Sequence, residues 1–284
     1  MIINHNLAAV KVLISLQRHD KNAARSMQKL SSGLRINRAA DDAAGLAIAD
    51  KMRSRILGLD QAKRNTQDAI SLLRTAEGAM SETADILQRI RVLAVKSASD
   101  TATDEDRAGI QQEVDELLEE VDRIAGTTQY NTLNLLDGSL SNATAATING
   151  KKRQGPAIIH IGADTGQNMK IAINSMKAAA LGVDGLQVSS RADAEAALSV
   201  LDTAIQRVST ERGKIGAKEN RMEHTGNCLS VESENLMAAE SRIRDVDMAK
   251  EMMNYAKSNL LRQAATAMLV QAYREPRTVL QLLR

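Results

Sequence analysis

Apolar residues recur every three or four positions between Ile48 and Ala94, and this spacing predicts one long helix. Eleven of the fourteen positions along this seam are apolar. The exceptions are Arg55, Thr66 and Thr83. At 1.5 Å per residue the helix is about 70 Å long, which is typical of a coiled coil or helical bundle. Gly58 and Gly78 interrupt the pattern, and each is expected to weaken the helix by about 1 kcal/mol relative to Ala.

Two further helices are predicted in the middle of the chain. Thr103 and Asp106 resemble a capping box, with Asp in place of the usual Glu or Gln. The helix that follows has an apolar seam at 110–124 and is expected to end at Gly126. Helical spacing returns over residues 194–236. The seam of this third helix contains Arg212, Glu219, Gly226 and Ser233.

Between these helices the pattern is typical of β-structure. Isoleucines alternate with His160 over residues 159–161, and apolar residues alternate again over 169–173. Asp-Thr-Gly at 164–166 separates the two stretches, so a β-hairpin is predicted. Asn149-Gly150 is a hairpin-turn dipeptide. The stretch 138–147, rich in Ser, Thr, Asn and Ala, is expected to be an exposed loop.

Both ends of the chain have more apolar residues than one helical neighbour covers. Residues 1–34 contain two apolar stripes that lie about 140° apart on a helix. The first stripe is Ile3, Leu7, Val10 and Ile14, and the second is Leu13, Leu16, Ala23, Met27 and Leu30. Over residues 260–272, nine of thirteen positions are apolar, and Arg262 is the only charge. Because a helix needs only a ~100° stripe to sit on a core, these ends require several partners, of which other copies of the chain are the simplest.

Composition narrows the class of protein. The 284 residues include no Phe, no Trp and two Pro, as expected for closely packed aliphatic helices. The net charge of +2 comes from interspersed charges, which argues against nucleic-acid binding. No apolar stretch reaches the ~20 residues that cross a bilayer, so membrane insertion is not expected. The N-terminus lacks the basic start and apolar run of a signal peptide.

Candidate chemical groups favour no enzyme, cofactor or metal. The histidines are far apart, at His5, His19, His160 and His224, and form no HExxH pair. Cys228 has no CxxC partner and is interpreted as a buried seam thiol. The acidic groups are interpreted as helix-start acids and a solvated helix face. They are Asp41, Asp42, Glu116, Glu119 and Glu120. Neither GxxxxGK(S/T) nor GxGxxG occurs.

Two interpretations follow from the residues alone. In the first, the chain is the subunit of a helical polymer, and its apolar ends pack between copies. In the second, it is a cytoplasmic coiled-coil adaptor whose ends hold a different protein. Filaments that form as the concentration rises would favour the first interpretation, and a soluble dimer at all concentrations would favour the second.

Several long motifs resemble, in order, those of bacterial flagellins. The N-terminal motifs are KLSSGLRINRAADDAAGLAIA at 29–49, with Met52 and Arg53 after it, and the segments 65–80, 87–95 and 122–131. The C-terminal motifs are AESRIRDVD at 239–247 and VLQLLR at 279–284. The hook–filament junction protein shares the terminal architecture of this superfamily and is the alternative. The match at residues 29–53 favours flagellin.

The resemblance implies a mainly α fold: a long antiparallel helical bundle or coiled coil with a small β-hairpin element and paired N- and C-terminal helices. Residues 1–41 and 241–284 would form the two halves of an inner coiled-coil domain that lines an axial channel. Residues 42–240 would form a helical rod domain, with the hairpin region at about 138–188. Because flagellins usually insert outer domains there, the chain resembles a minimal form. The implied function is that of a structural subunit of the flagellar filament, which gives swimming motility.

The resemblance also implies partners and a location. Flagellins pass unfolded, without a cleaved signal peptide, through the flagellar export apparatus, with a chaperone. They assemble outside the cell beneath a filament cap, beyond hook-junction proteins, and their disordered termini fold on polymerisation. Host innate receptors are further partners of many flagellins. A Toll-like receptor reads a rod surface that matches Arg89, Leu93 and Glu113, although Val92 and Lys96 depart from the common Glu and Gln. Cytosolic sensors read a tail that Leu282, Leu283 and Arg284 resemble.

Overall fold

A computed structural model of the chain describes residues 6–141, 145–148 and 151–282, with side chains over 6–141 and 155–274. Over these ranges the chain is mainly helical, which confirms the predicted fold class. The helices are α1 (Leu7–Ser32), α2 (Ala43–Ser97), α3 (Asp104–Thr127), α4 (Ala178–Leu181), α5 (Arg191–Arg244) and α6 (Met248–Leu282). The strands are β1 (Gln129–Tyr130), β2 (Leu133–Asn134), β3 (Ala145–Ile148), β4 (Lys151–Gln154), β5 (Ala157–His160) and β6 (Asn168–Ile171).

The chain divides into two compact units. The terminal unit comprises Met1–Ile56 and Glu234–Arg284, and the central unit comprises Leu57–Ser233. In the terminal unit α1 packs along α6, which confirms the predicted pairing of the N- and C-terminal helices. The central unit contains most of α2 and α5, all of α3 and the described strands.

The long helix predicted from the apolar seam is confirmed as α2. Seam residues such as Leu73 and Leu87 are fully buried. The polar seam positions Thr66 and Thr83 are buried too, because each hydroxyl donates a hydrogen bond to a carbonyl four residues earlier in the helix, over 2.8 and 3.0 Å. This local bond satisfies the hydroxyl inside the core, so two threonines fit an apolar seam.

The predicted capping box begins α3. The Thr103 hydroxyl accepts a hydrogen bond from the Asp106 amide (3.2 Å), and the Asp106 carboxylate accepts one from the Thr103 amide (3.0 Å). The Thr103 hydroxyl also donates a hydrogen bond to the Asp106 carboxylate (2.7 Å), and this bond, together with the one from the Thr103 amide, lowers the pKa of Asp106. Gly126 does not end the helix as predicted, because α3 continues to Thr127, and the Thr128 amide still bonds to the Ile124 carbonyl.

The predicted hairpin is confirmed as the antiparallel pair β5–β6, in which Ala157 lies opposite Ile171 and His160 opposite Asn168. Met169 and Ile171 point into the core, and the Asn65 amide on α2 donates to the His160 carbonyl over 3.0 Å. Strands β3 and β4 also pair antiparallel. The predicted turn between them, Asn149-Gly150, lies outside the described residues.

The prediction of an exposed loop over 138–147 is wrong wherever the structure describes it. Leu140 is fully buried, and its carbonyl accepts a hydrogen bond from the Ile173 amide (3.4 Å). Gly138 has a φ of +88°, and a Cβ there would lie 2.9 Å from the Ser175 Cβ. Residues 145–148 form β3. Leu140 is the only large apolar residue of the stretch, and the composition therefore predicted exposure. Leu140 packs in the core and bonds to the segment that follows β6.

Candidate functional site

The terminal unit has the opposite burial pattern from an ordinary hydrophobic core. Among the described side chains, it buries five hydrophobic residues and leaves fifteen large ones exposed. The buried ones are Ala9, Ala23, Ile36, Ala49 and Ile56. Three of them are alanines, which bury little surface. An apolar surface of this extent marks an interaction site in a soluble protein.

The residues of α1 that are buried in the unit where it packs along α6 are small. The buried positions of α1 are Ala9, Ala23 and Ser26. Helices that meet through small side chains approach closely, so their larger apolar residues are left at the sides of the contact. Ala23 belongs to the second of the two predicted stripes, and the first stripe remains exposed at Leu7, Val10 and Ile14.

Polar groups position the two helices along their length. At one end the Asn6 side-chain amide donates to the Ala272 carbonyl over 2.8 Å. The Ser26 hydroxyl bonds to the Glu251 carboxylate, and this bond lowers the pKa of Glu251. Arg262 is the single charge in the apolar stretch 260–272, and its Nε lies 3.8 Å from Oδ1 of Asp20. These contacts set the register of α1 on α6 without covering the apolar residues beside them.

The exposed large hydrophobic residues on these two helices form what we call the apolar terminal surface. On α1 they are Leu7, Val10, Leu13, Ile14 and Met27. On α6 they are Met248, Met252, Met253, Leu260, Leu261, Met268, Val270 and Tyr273. Leu7 is 64% exposed and Leu260 is 66% exposed. The excess of apolar residues predicted for both ends is therefore confirmed for the single chain.

The connections at the inner ends of α1 and α6 lie side by side. The Arg35 amide donates to the Arg244 carbonyl (2.7 Å), and the Val246 amide donates to the Gly33 carbonyl (3.0 Å). The Arg35 guanidinium adds hydrogen bonds to the Ile243 carbonyl. Gly33 ends α1 with a φ of +71°, a conformation that glycine adopts without strain. The segment that follows α1 and the segment that precedes α6 are thus held together by backbone hydrogen bonds.

The acidic residues before α2 are helix-start acids, as predicted. The Asp42 carboxylate accepts a hydrogen bond from the Gly45 amide over 2.9 Å, so it caps the helix. The Asp41 carboxylate accepts from the amides of Arg38 and Asn37, and these bonds lower its pKa. Within the described residues, no group of three or more His, Cys, Asp or Glu side chains is placed to hold a metal ion.

The residues predicted to contact a receptor lie on α2 and α3 of the central unit. Arg89 and Glu113 form an exposed ion pair with 2.7 Å between Nη2 and Oε1. Leu93 is only 4% exposed and belongs to the hydrophobic core. The structure thus brings two of the three to the surface together, and the receptor contact stays a prediction. Leu283, Arg284 and the side chain of Leu282 lie outside the described residues.

The interpretation of Cys228 as a buried thiol is wrong, because Cys228 is exposed. Its neighbour Leu229 occupies the seam of α5 and is buried. Successive residues lie about 100° apart on a helix, so Cys228 is turned away from the core. Over the described part of the chain, no helix is both long and apolar enough to span a bilayer.

One polar cluster was missed from the sequence. Glu211, rather than Arg212, lies in the seam of α5 and is buried. Its carboxylate accepts hydrogen bonds from Asn174 (2.6 Å) and Lys214 (2.7 Å). Lys218 donates to a backbone carbonyl nearby (2.8 Å), and burial lowers its pKa. The spacing of Glu211, three residues after one seam valine and four before the next isoleucine, was the available signal.

Comparison with known proteins matches both ends of the chain to helical regions of one family. The model of the bacterial flagellin N-terminal helical region matches residues 3–141, and that of the C-terminal helical region matches 198–283. The flagellin of Bacillus subtilis (strain 168) is 47% identical over 308 aligned residues, with 100% of both chains covered. The flagellar filament 33 kDa core protein of Treponema phagedenis is 46% identical over 291, again with 100% of both covered.

A solved structure shows the same fold at low sequence identity. A putative flagellar hook-associated protein from Vibrio parahaemolyticus has a TM-score of 0.59 and 15% identity, covering 72% of this chain and 100% of that chain. The fold and the apolar terminal surface define a class of α-helical protein in which the N- and C-terminal helices pair and leave large hydrophobic residues exposed. The two family models and the full-length similarity identify it further: the chain belongs to the bacterial flagellin family.

Proposed function

We propose that the chain is the structural subunit of a bacterial flagellar filament and gives swimming motility by polymerising through the apolar terminal surface. One observation carries this proposal: the terminal unit exposes fifteen large hydrophobic residues and buries five hydrophobic ones among its described side chains. The names of its full-length relatives support it. No observation favours the hook–filament junction protein or a coiled-coil adaptor.

The energetics fit an assembly that depends on concentration. Thirteen residues form the apolar terminal surface, and most are about half exposed. Full burial of such side chains contributes about 1.5–3 kcal/mol each, so burying the exposed halves gives on the order of 10–20 kcal/mol. Association costs about 4–15 kcal/mol in lost freedom of motion. Since the two terms are similar in size, a single charge placed in the surface is enough to weaken assembly strongly.

The domain organisation follows from the same proposal. Residues 1–41 and 241–284 would form the inner coiled-coil domain around the axial channel, and residues 42–240 the helical rod, with the hairpin region at about 138–188. The inner domain would be disordered before assembly and fold as copies associate. In such coupled folding and binding, ordering the segment costs conformational entropy, and contacts with neighbouring copies offset that cost. Support comes from the small number of buried residues that hold the terminal unit together.

Partners and location are proposed from the family. The subunit would pass without a cleaved signal peptide through the flagellar export apparatus, with a chaperone, and join an extracellular filament beneath its cap and beyond the hook-junction proteins. Host receptors would contact Arg89 and Glu113, a proposal supported by the exposed Arg89–Glu113 pair; Leu93, the third residue of the predicted contact, is buried in the core. The tail residues Leu282, Leu283 and Arg284 would serve in packing within the tube or in recognition by cytosolic sensors.

Seeded polymerisation of the purified protein tests the proposed function. We expect monomer to add to filament fragments, with growth followed by light scattering and electron microscopy. Leu260→Lys places a charge in the middle of the apolar terminal surface. Burying an unpaired charge costs several kcal/mol. The critical concentration should therefore rise at least about tenfold, since each 1.4 kcal/mol is a factor of ten.

Ile158→Lys is the matched control, because Ile158 is a similarly exposed apolar residue that lies on β5 of the central unit. It should polymerise as the unsubstituted protein does. Circular dichroism of both variants must show unchanged helix content. Unsubstituted protein that never elongates seeds would refute the proposed function. Normal growth of Leu260→Lys would refute the role of the apolar terminal surface.

A further inference from the structure

Methionine is distributed unequally between the two units. The central unit has four methionines, and each is 5% exposed or less. They are Met80, Met169, Met176 and Met222. In the terminal unit six of the described methionines are 49–67% exposed. They are Met27, Met237, Met248, Met252, Met253 and Met268, which we call the exposed methionines.

We propose that the exposed methionines are a modification site at which a peroxide-class oxidant forms methionine sulfoxide and thereby blocks self-association. The inference rests on the proposed function, because it needs the apolar terminal surface to be an assembly surface. Five of the six exposed methionines lie on α1 or α6 and belong to that surface. The oxidant would therefore act on the surface that copies share and leave the core of the central unit unmodified.

The chemistry is balanced with a peroxide as the only co-reactant. The thioether sulfur attacks one peroxide oxygen, an S–O bond forms and the O–O bond breaks. The departing hydroxide takes the proton from the oxygen now bound to sulfur and leaves as water, which yields the sulfoxide; the sulfur loses two electrons and the peroxide gains them. Exposure controls the reaction, because the oxidant must reach the sulfur. Met253, at 67% exposure, and Met222, which is fully buried, are the two extremes.

Oxidation changes the property on which assembly depends. A flexible apolar side chain becomes polar and carries a strong hydrogen-bond acceptor. Inside an apolar contact that acceptor has no donor, and an unsatisfied polar group there is unfavourable by an amount that corresponds to roughly a tenfold weaker association per buried sulfoxide. Three exposed methionines lie within six residues of α6, at Met248, Met252 and Met253, so oxidation of this segment alone would stop growth.

The test uses the full-length monomer, hydrogen peroxide and peptide mass spectrometry. After limited treatment, the exposed methionines should gain oxygen at least about ten times faster than those of the central unit, and helix content should stay unchanged. The treated monomer should then elongate seeds at least about tenfold more slowly than untreated monomer. The partly oxidised monomer should be added to seed fragments, and the monomer that remains unassembled should then be separated from the filaments. That fraction should be enriched in sulfoxide at the exposed methionines.

A variant with Met252→Leu, Met253→Leu and Met268→Leu removes three thioethers and keeps an apolar side chain at each position. We compare the elongation rate of peroxide-treated monomer with that of untreated monomer of the same variant. Peroxide should slow the elongation of this variant far less than it slows that of the unsubstituted protein. Met222→Leu removes a buried thioether and should leave the peroxide response as it was. The enrichment measured in the unassembled fraction remains informative if the triple variant does not fold.

The possible outcomes separate the inference from the proposed function. Untreated protein that does not elongate seeds refutes the proposed function. If untreated protein elongates seeds but oxidised protein grows equally fast, the modification site is refuted and the function stands. Oxidation of the methionines of the central unit at the same rate as the exposed methionines also refutes the modification site.

Discussion

Gly58 and Gly78 lie in the same helix, α2, and the structure predicts opposite effects for the same substitution. At Gly78 an added Cβ meets no atom within 4 Å. At Gly58 it would lie 3.0 Å from the Cβ of Ala163, in the turn of the β5–β6 hairpin. The glycine therefore lets the hairpin approach α2, and the bond from Asn65 to the His160 carbonyl holds it there.

The magnitudes follow from two terms. Replacing Gly by Ala inside a helix contributes about 0.8–1.0 kcal/mol, so Gly78→Ala should stabilise the monomer by that amount. Gly58→Ala has the same gain, but an overpacked contact costs about 1–3 kcal/mol, so its net effect is a loss of about 0–2 kcal/mol. For a unit of this size 1 kcal/mol shifts Tm by about 2–4 °C.

Thermal unfolding of the monomer, followed by far-ultraviolet circular dichroism, measures both variants. We expect the Tm of Gly78→Ala to rise and that of Gly58→Ala to stay level or fall. Ala163→Gly in the Gly58→Ala background should restore the gain, because it removes the methyl group that is in contact. Equal stabilisation by both single variants would refute the placement of the hairpin against α2.

Three further outcomes are expected. Leu87→Ala, at a fully buried position, should lower the free energy of unfolding in urea by about 2–5 kcal/mol, whereas Leu57→Ala, at an exposed position, should change it by less than about 0.5 kcal/mol. The carboxyl of Asp106 should titrate below the usual Asp range, so its contribution to the start of α3 is present at neutral pH and lost as pH falls through its lowered pKa; in Thr103→Ala, NMR should find that pKa returned towards normal. Cys228 should react with a maleimide in the native monomer as fast as in urea, and a slow native reaction would contradict its exposure.

The long helices could be predicted because a seam repeated over many turns tolerates local errors. Single side chains could not, because one residue along a helix is a rotation of about 100°. Leu93 is buried while Val92 is exposed, and Cys228 is exposed while Leu229 is buried. In α5 the same one-residue difference puts Glu211, not Arg212, in the core. Assigning these positions requires the neighbouring elements, which the sequence pattern does not specify.

The apolar terminal surface was predictable because it depends on composition rather than on rotation. Nine apolar residues among thirteen exceed what a single stripe holds, so part of α6 is exposed however the helix is turned. The loop around Leu140 shows the converse case. Its polar neighbours predicted exposure, and its burial comes from tertiary contacts, which include packing in the core and the hydrogen bond with Ile173.

The backbone bonds between Gly33 and Val246 have a consequence for protein synthesis. These residues are separated by about 200 positions, which a ribosome translating about 5–20 residues per second takes about 10–40 s to cover. During that interval α1 has emerged, but α6 does not yet exist. The face of α1 that contains Ala9, Ala23 and Ser26 is therefore uncovered on a nascent chain for that time, in addition to the leucines and isoleucines that remain exposed in the folded monomer. The apolar surface at this end of the molecule is thus largest while the chain is still being made.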